Sequence, residues 1–176
     1  MYIIQFLKKA FKTNKTFVIH FSNQYLKLYP SSILDIKNYI IKSAKLKNLN
    51  IILPYLVWKD HRNLNKKIIN LDEYNRNNSL LMELLRRDRF FFSNNDFYLR
   101  VGIISKNKNF KKKFELKNNQ NIFETQSLYN IFKKSTIIGL GVSTNYCYPF
   151  HYLQYQKFGK KFFKKEIARK VIYKDN

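Results

Sequence analysis

The first apolar residues of the chain, Ile3, Phe6, Leu7, Ala10 and Phe11, recur at helical spacing, with Lys8, Lys9 and Lys12 on the other side. That pattern predicts a short amphipathic helix over residues 2–12. A polar break at Thr13-Asn14-Lys15 follows. The pattern then changes to the unbroken β-branched and aromatic run Thr16–Phe21, a strand bounded by the turn residues Ser22-Asn23. Pro30-Ser31-Ser32 opens a second helix, with Ser32 as N-cap and Asp35 three residues on, a capping-box spacing. Ile33, Ile36, Ile40 and Ala44 form its apolar stripe, which fades at Lys45–Asn48.

Ile51–Trp58 reads as a buried strand broken by Pro54, and the polar, Asn-rich residues 59–78 as a loop. Leu80, Leu81, Leu84 and Leu85 mark a third helix that ends at Arg86-Arg87. Phe90-Phe91-Phe92 and a turn at 93–96 lead into a strand over Phe97–Ile104. Beyond it the basic run Asn107–Lys113 (NKNFKKK) reads as a solvated hairpin, or as a secondary nucleic-acid contact. Residues 126–133 are weakly helical, and Ile137–Val142 is a strand containing Gly139 and Gly141. The basic tail from Lys164 reads as a helix or a frayed extension.

Composition adds a partner to this outline. The chain has 176 residues, 45% hydrophobic and 17% aromatic, enough for a packed core in one domain or two small ones. Against 34 Lys and Arg stand only 11 Asp and Glu, a net charge of +23. Self-repulsion of that size is relieved by a polyanion that releases its counterions on binding, so nucleic acid is the first candidate and an anionic membrane surface the second. Only seven of the basic residues are Arg, and Lys, Asn, Ile, Phe and Tyr are abundant; that is the flavour of an AT-rich genome such as an organelle's. Codon bias explains Lys in place of Arg. It does not explain the shortage of acids, whose codons can also be AT-rich.

The stretch GLGVSTNYCYPFHYLQYQKFGKK, beginning at Gly139, carries three of the four glycines, the sole cysteine and one of three histidines. An enzyme reading is weak. Cys147 and His151 are the residue types of a thiol nucleophile and its base, but no third group orients them. Asp60-His61 are sequence neighbours that point apart on any regular element. Gly139-Leu140-Gly141 lacks the later glycine and the helix of a dinucleotide fingerprint. His20, His61 and His151 show no ligand spacing, so no metal or other cofactor is expected. No apolar run approaches the roughly 20 residues needed to span a bilayer. A binding reading fits better. Hydroxyls and amides from Ser143 onward can donate to RNA, aromatic faces can stack, and Lys157, Lys160 and Lys161 can neutralise phosphate.

These residues resemble the C-terminal signature of small-subunit ribosomal protein eight of bacteria and organelles. Ser143-Thr144 matches its Ser-Thr, His151 a position that is often Asp or His, Gly159 one of its paired glycines, and Phe162-Phe163 its closing strand. Asn145 replaces the second Ser, Tyr146 the basic residue and Cys147 the Gly, and Gly159-Lys160-Lys161 stands where the family has Gly-Gly-Glu. Further upstream, Ile3–Ala10, Asn14–Ser22 and Leu84–Phe91 resemble the family's opening helix, first strand, and second helix with its next strand.

The resemblance implies an α+β fold of two small α/β layers. Residues 1–104 would form a helix-strand-helix-strand-strand part and 105–176 a mostly β RNA-binding part with a basic tail. Residues 24–78 would be an addition to the family pattern, a surface for neighbouring proteins or extra RNA with Trp58 as an anchor. It further implies a non-enzymatic component of a mitochondrial or other organellar small ribosomal subunit, bound to rRNA of the central domain and to neighbouring ribosomal proteins, with no membrane or small-molecule partner. Ser143, Thr144, Asn145 and Tyr146 would meet the RNA, with Lys157, Lys160 and Lys161 on its phosphates. Another organellar RNA-binding protein, or a peripheral subunit of an organellar membrane complex, would also account for the charge.

Overall fold

The structure is a computed structural model that describes residues 2–22, 25–26, 28–29, 32–54, 68–70, 80–93, 101–115, 126–142, 157 and 170–172. Helix α1 (Tyr2–Ala10) leads into β1 (Thr16–Phe21), and α2 (Ile33–Leu46) into β2 (Asn50–Pro54). Next come β3 (Ile68–Asn70), α3 (Leu80–Arg86), β4 (Phe91–Ser93) and β5 (Val101–Ile104). Then follow α4 (Lys108–Lys112), α5 (Gln126–Lys133), β6 (Thr136–Leu140) and β7 (Lys170–Ile172).

The fold is α+β and centres on a five-stranded mixed sheet of order β4-β5-β2-β1-β6. β1 is parallel to β2 and to β6, whereas β5 is antiparallel to both β2 and β4. Alternate side chains of each strand go to opposite faces. On one face Phe17, Ile19, Ile51, Leu53 and Ile104 pack under α1, α2 and α3, which contribute Leu7, Ile36, Ile40, Leu81 and Leu85. On the other face Val18, Ile52, Val101 and Ile103 pack against Phe110 of α4, Phe114 and Phe132 of α5. Both faces are covered, which is why β1 and β2 read as continuous apolar runs rather than alternating ones. Phe11 secures the end of α1, its ring 4.9 Å from that of Phe17 and stacked 5.8 Å from that of Tyr39.

Several expectations change. Ser32 sits at the N-cap of α2 with φ −91° and ψ −10°, already helical, and its side chain makes no capping hydrogen bond. A cap needs an extended residue that turns its oxygen toward the N–H groups two and three ahead. The far end of α2 is firm where the sequence suggests fading. Asn48 takes a left-handed φ of 54°, and the Leu49 N–H donates back to the Ala44 carbonyl at 3.2 Å, a Schellman closure. The Asn107–Lys113 run is helix α4 rather than a hairpin: Asn107 is extended and accepts from the Phe110 N–H, and Phe110 is buried. The 59–78 stretch contains β3, which pairs in parallel with β7 from the basic tail. Helix α2 and the central strand β2 lie inside residues 24–78, and both belong to the framework of the sheet. From beyond residue 105, β6 pairs with β1 from Phe17 to Phe21.

Candidate nucleic-acid interface

Of the residues singled out in the sequence, Lys157 is described and is exposed. Ser143, Thr144, Asn145, Tyr146, Lys160 and Lys161 lie outside the described residues, as do Cys147, His151, Asp60, His61 and Trp58. The two glycines ahead of Ser143 have separate structural roles. Gly139 lies within β6, and Gly141 just past it has φ +66°, a conformation that L side chains rarely adopt. A Cβ on Gly141 would also run into the Tyr25 side chain.

The described residues bring together a different set of basic groups, at the opposite end of β6. The register pairs Thr16 with Asn50, Phe17 with Thr136, Ile51 with Ile104, and Ile104 with Phe91. The starts of β6, β1, β2 and β4 and the finish of β5 therefore share one end of the sheet. The residues just beyond them are Lys133 and Lys134, Lys15, Lys47, Lys106 and Lys108, and Arg89, all exposed. Helices α2 and α5 end here as well. The partial negative charge of a helix C-terminus favours cations in its last turn, which is one local reason for lysine at these positions. Lys15 uses this directly, donating from Nζ to the Lys47 carbonyl at 3.1 Å.

A belt of small polar side chains ties this end together. Asn14 donates from Nδ2 to the Lys134 carbonyl (2.8 Å) and the Thr136 hydroxyl (3.3 Å), and its Oδ1 accepts from the N–H groups of Lys15 (2.7 Å) and Thr16 (3.3 Å). All four hydrogen-bonding positions of that side chain are used. Asn50 donates to the Thr16 hydroxyl (3.4 Å) and accepts from the Ser105 hydroxyl (2.6 Å). Ser105 in turn accepts from the Asn107 N–H (2.9 Å), and Asn107 caps α4 through the Phe110 N–H (3.0 Å). The belt joins β6, β1, β2, β5 and α4, and it ties in the backbone at Lys134, Lys15 and around Lys106.

The acid at this end is occupied. Asp88 accepts from the Phe90 N–H at 2.9 Å and pairs with Lys45 at 3.4 Å, while Lys45 and Arg89 both lie over the Phe90 ring, 4.7 and 5.0 Å from its centroid. Burial pushes the Lys111 ammonium below its ordinary range, with the Asp88 carboxylate opposing. A shallow open cleft between α2 and Asp88, lined in part by Lys37, Lys42 and Lys45, continues the basic surface along α2. Among the described residues there is no cluster of three potential metal ligands, and no helix is long and apolar enough to cross a membrane.

The sequence carries a signal for this surface. Asn14, Asn50 and Ser105 are polar positions that bound apolar runs, as in the Thr13-Asn14-Lys15 break. What the sequence lacks is the strand order that brings those boundaries to one end. Comparison with models of protein families, with characterised proteins and with solved structures finds no match to this chain.

Proposed function

We propose that the protein is a structural, RNA-binding component of the small subunit of an organellar ribosome, a mitochondrial one in particular, held to small-subunit rRNA and neighbouring ribosomal proteins. The observation that carries this reading is the charge. A net +23 on 176 residues is a standing repulsion that a phosphate backbone relieves. The lysines grouped at one end of the sheet support it, and the resemblance to small-subunit ribosomal protein eight suggests the assembly. The reading does not require residues 24–78 to form a surface of their own, and it assigns no catalytic step. The mechanism is positional: cations neutralise phosphates and hold a segment of RNA in register with a rigid scaffold.

The test is co-sedimentation of the tagged full chain in an organelle lysate. The expected result is that it travels with the small ribosomal subunit and stays there in washes of several hundred millimolar salt. Recovery with the membrane fraction, or with neither, overturns the reading.

A further inference from the structure

We propose that the end of the sheet where β6, β1 and β2 begin is a docking face for the phosphate backbone of double-helical RNA, which it takes without reading base sequence. The proposal rests on the RNA-binding reading above and assigns it to a surface. The first support is a row of cations. Lys133 and Lys134, Lys15, Lys47, then Lys106 and Lys108 follow the order β6-β1-β2-β5. At about 4.8 Å between neighbouring strands, the row spans roughly 14 Å. The second is its stiffness. The Asn14–Thr16–Asn50–Ser105–Asn107 belt ties together the strand ends from which the lysines project, so their points of attachment stand at fixed spacing, as a regular helical backbone requires.

The third support is what this end withholds. Reading bases takes free amides and hydroxyls at their edges. Here the Asn14 amide, the Asn50 amide and the Ser105 hydroxyl are bonded to the fold itself. Holding a single strand takes exposed aromatic rings on which bases stack. The large exposed aromatics among the described residues are Tyr2, Phe6 and Tyr29. Tyr2 and Phe6 come before the end of α1 that faces the belt, and Tyr29 follows the far end of β1. Arg89 and Asn48 are exposed here too, but lysine predominates, and lysine against phosphate positions a duplex and does not select its sequence.

The experiment uses the purified full chain, an RNA hairpin of about 20 base pairs (longer than the ~16 that a double-stranded-RNA domain covers), an unpaired RNA of equal length, and phosphatidylserine vesicles. The variant replaces Lys106, Lys108, Lys133 and Lys134, all exposed, by Gln. The native chain is expected to prefer the hairpin. In the variant, hairpin affinity near 100 mM salt should fall at least ~100-fold, and the log–log salt slope should become shallower by roughly 3 to 4, about 0.9 per phosphate released. Its thermal midpoint should not fall. A second variant, Ser143→Ala with Thr144→Val, should keep its hairpin affinity within about threefold, since a lost hydrogen bond to RNA would cost more. The proposal is overturned if the lysine variant binds the hairpin as the native chain does, if the unpaired strand is preferred, or if the loss of affinity falls on the vesicles instead. Loss confined to the Ser143 variant moves the RNA surface to that loop and leaves the ribosomal reading standing. Failure of the native chain to bind any RNA removes both.

Discussion

At the scale of single residues, Gly141 is where backbone shape and packing coincide. Its φ of +66° is left-handed, and the Tyr25 side chain fills the place of a Cβ. An L residue in that conformation costs about 1–2 kcal/mol before any clash is counted. Gly141→Ala is therefore expected to lower stability by at least that much, with Gly139→Ala less harmful because the atom nearest its added Cβ, the Val142 carbonyl oxygen, is 3.2 Å away. Urea titration followed by circular dichroism would rank the two; equal midpoints would contradict the assignment. Of the glycines in the GLGVSTNY stretch, Gly141 thus answers to the turn after β6, whereas Gly139 lies within the strand.

At the scale of elements, the two helix starts make opposite predictions. Ser32 has the sequence of a cap and makes no capping bond, whereas Asn107 sits in a lysine run and does. Asn107→Ala should cost about 1 kcal/mol, and Ser32→Ala should stay within about 0.5. Thermal melts of the two variants would separate them, and the reverse ranking would refute the local geometry. The same pair shows what could be read from the sequence. Helices α1, α2 and α3 were legible because periodicity reports burial on one face, and strands β1 and β2 because a strand covered on both faces reads as a continuous apolar run. Helix α4 was not legible, since its five residues contain one buried side chain, Phe110, and one point has no period. The pairing of β3 with β7 was hidden for another reason: it joins residues about a hundred positions apart, and no local pattern encodes a partner. The basic end was half visible. Its lysines were counted, but their grouping depends on β6 lying beside β1, a fact of topology.

At the scale of the whole molecule, the charge that suggests a partner also weakens the free protein. Lys and Arg outnumber Asp and Glu by 34 to 11, and at low ionic strength their mutual repulsion opposes the compact state. Salt shortens the Debye length from about 30 Å at 0.01 M to about 8 Å at 0.15 M. The free chain should therefore melt at a higher temperature as salt is raised over that range, while its affinity for RNA falls. Calorimetry and binding titrations across one salt series check both signs, and a melting point that drops with salt would contradict the repulsion argument. Sheet order has a consequence in time as well. Strand β1 waits for β6, and Asn14 and Lys134, which meet in the folded chain, are 120 residues apart. A nascent chain lengthening at about 5–20 residues per second leaves an interval of roughly 6–24 s between them. Throughout it, one side of Phe17-Val18-Ile19 has no neighbour and can template the wrong strand. Lys12 and Lys15, emerging just ahead of that run, supply like-charge repulsion between unfinished copies during the delay.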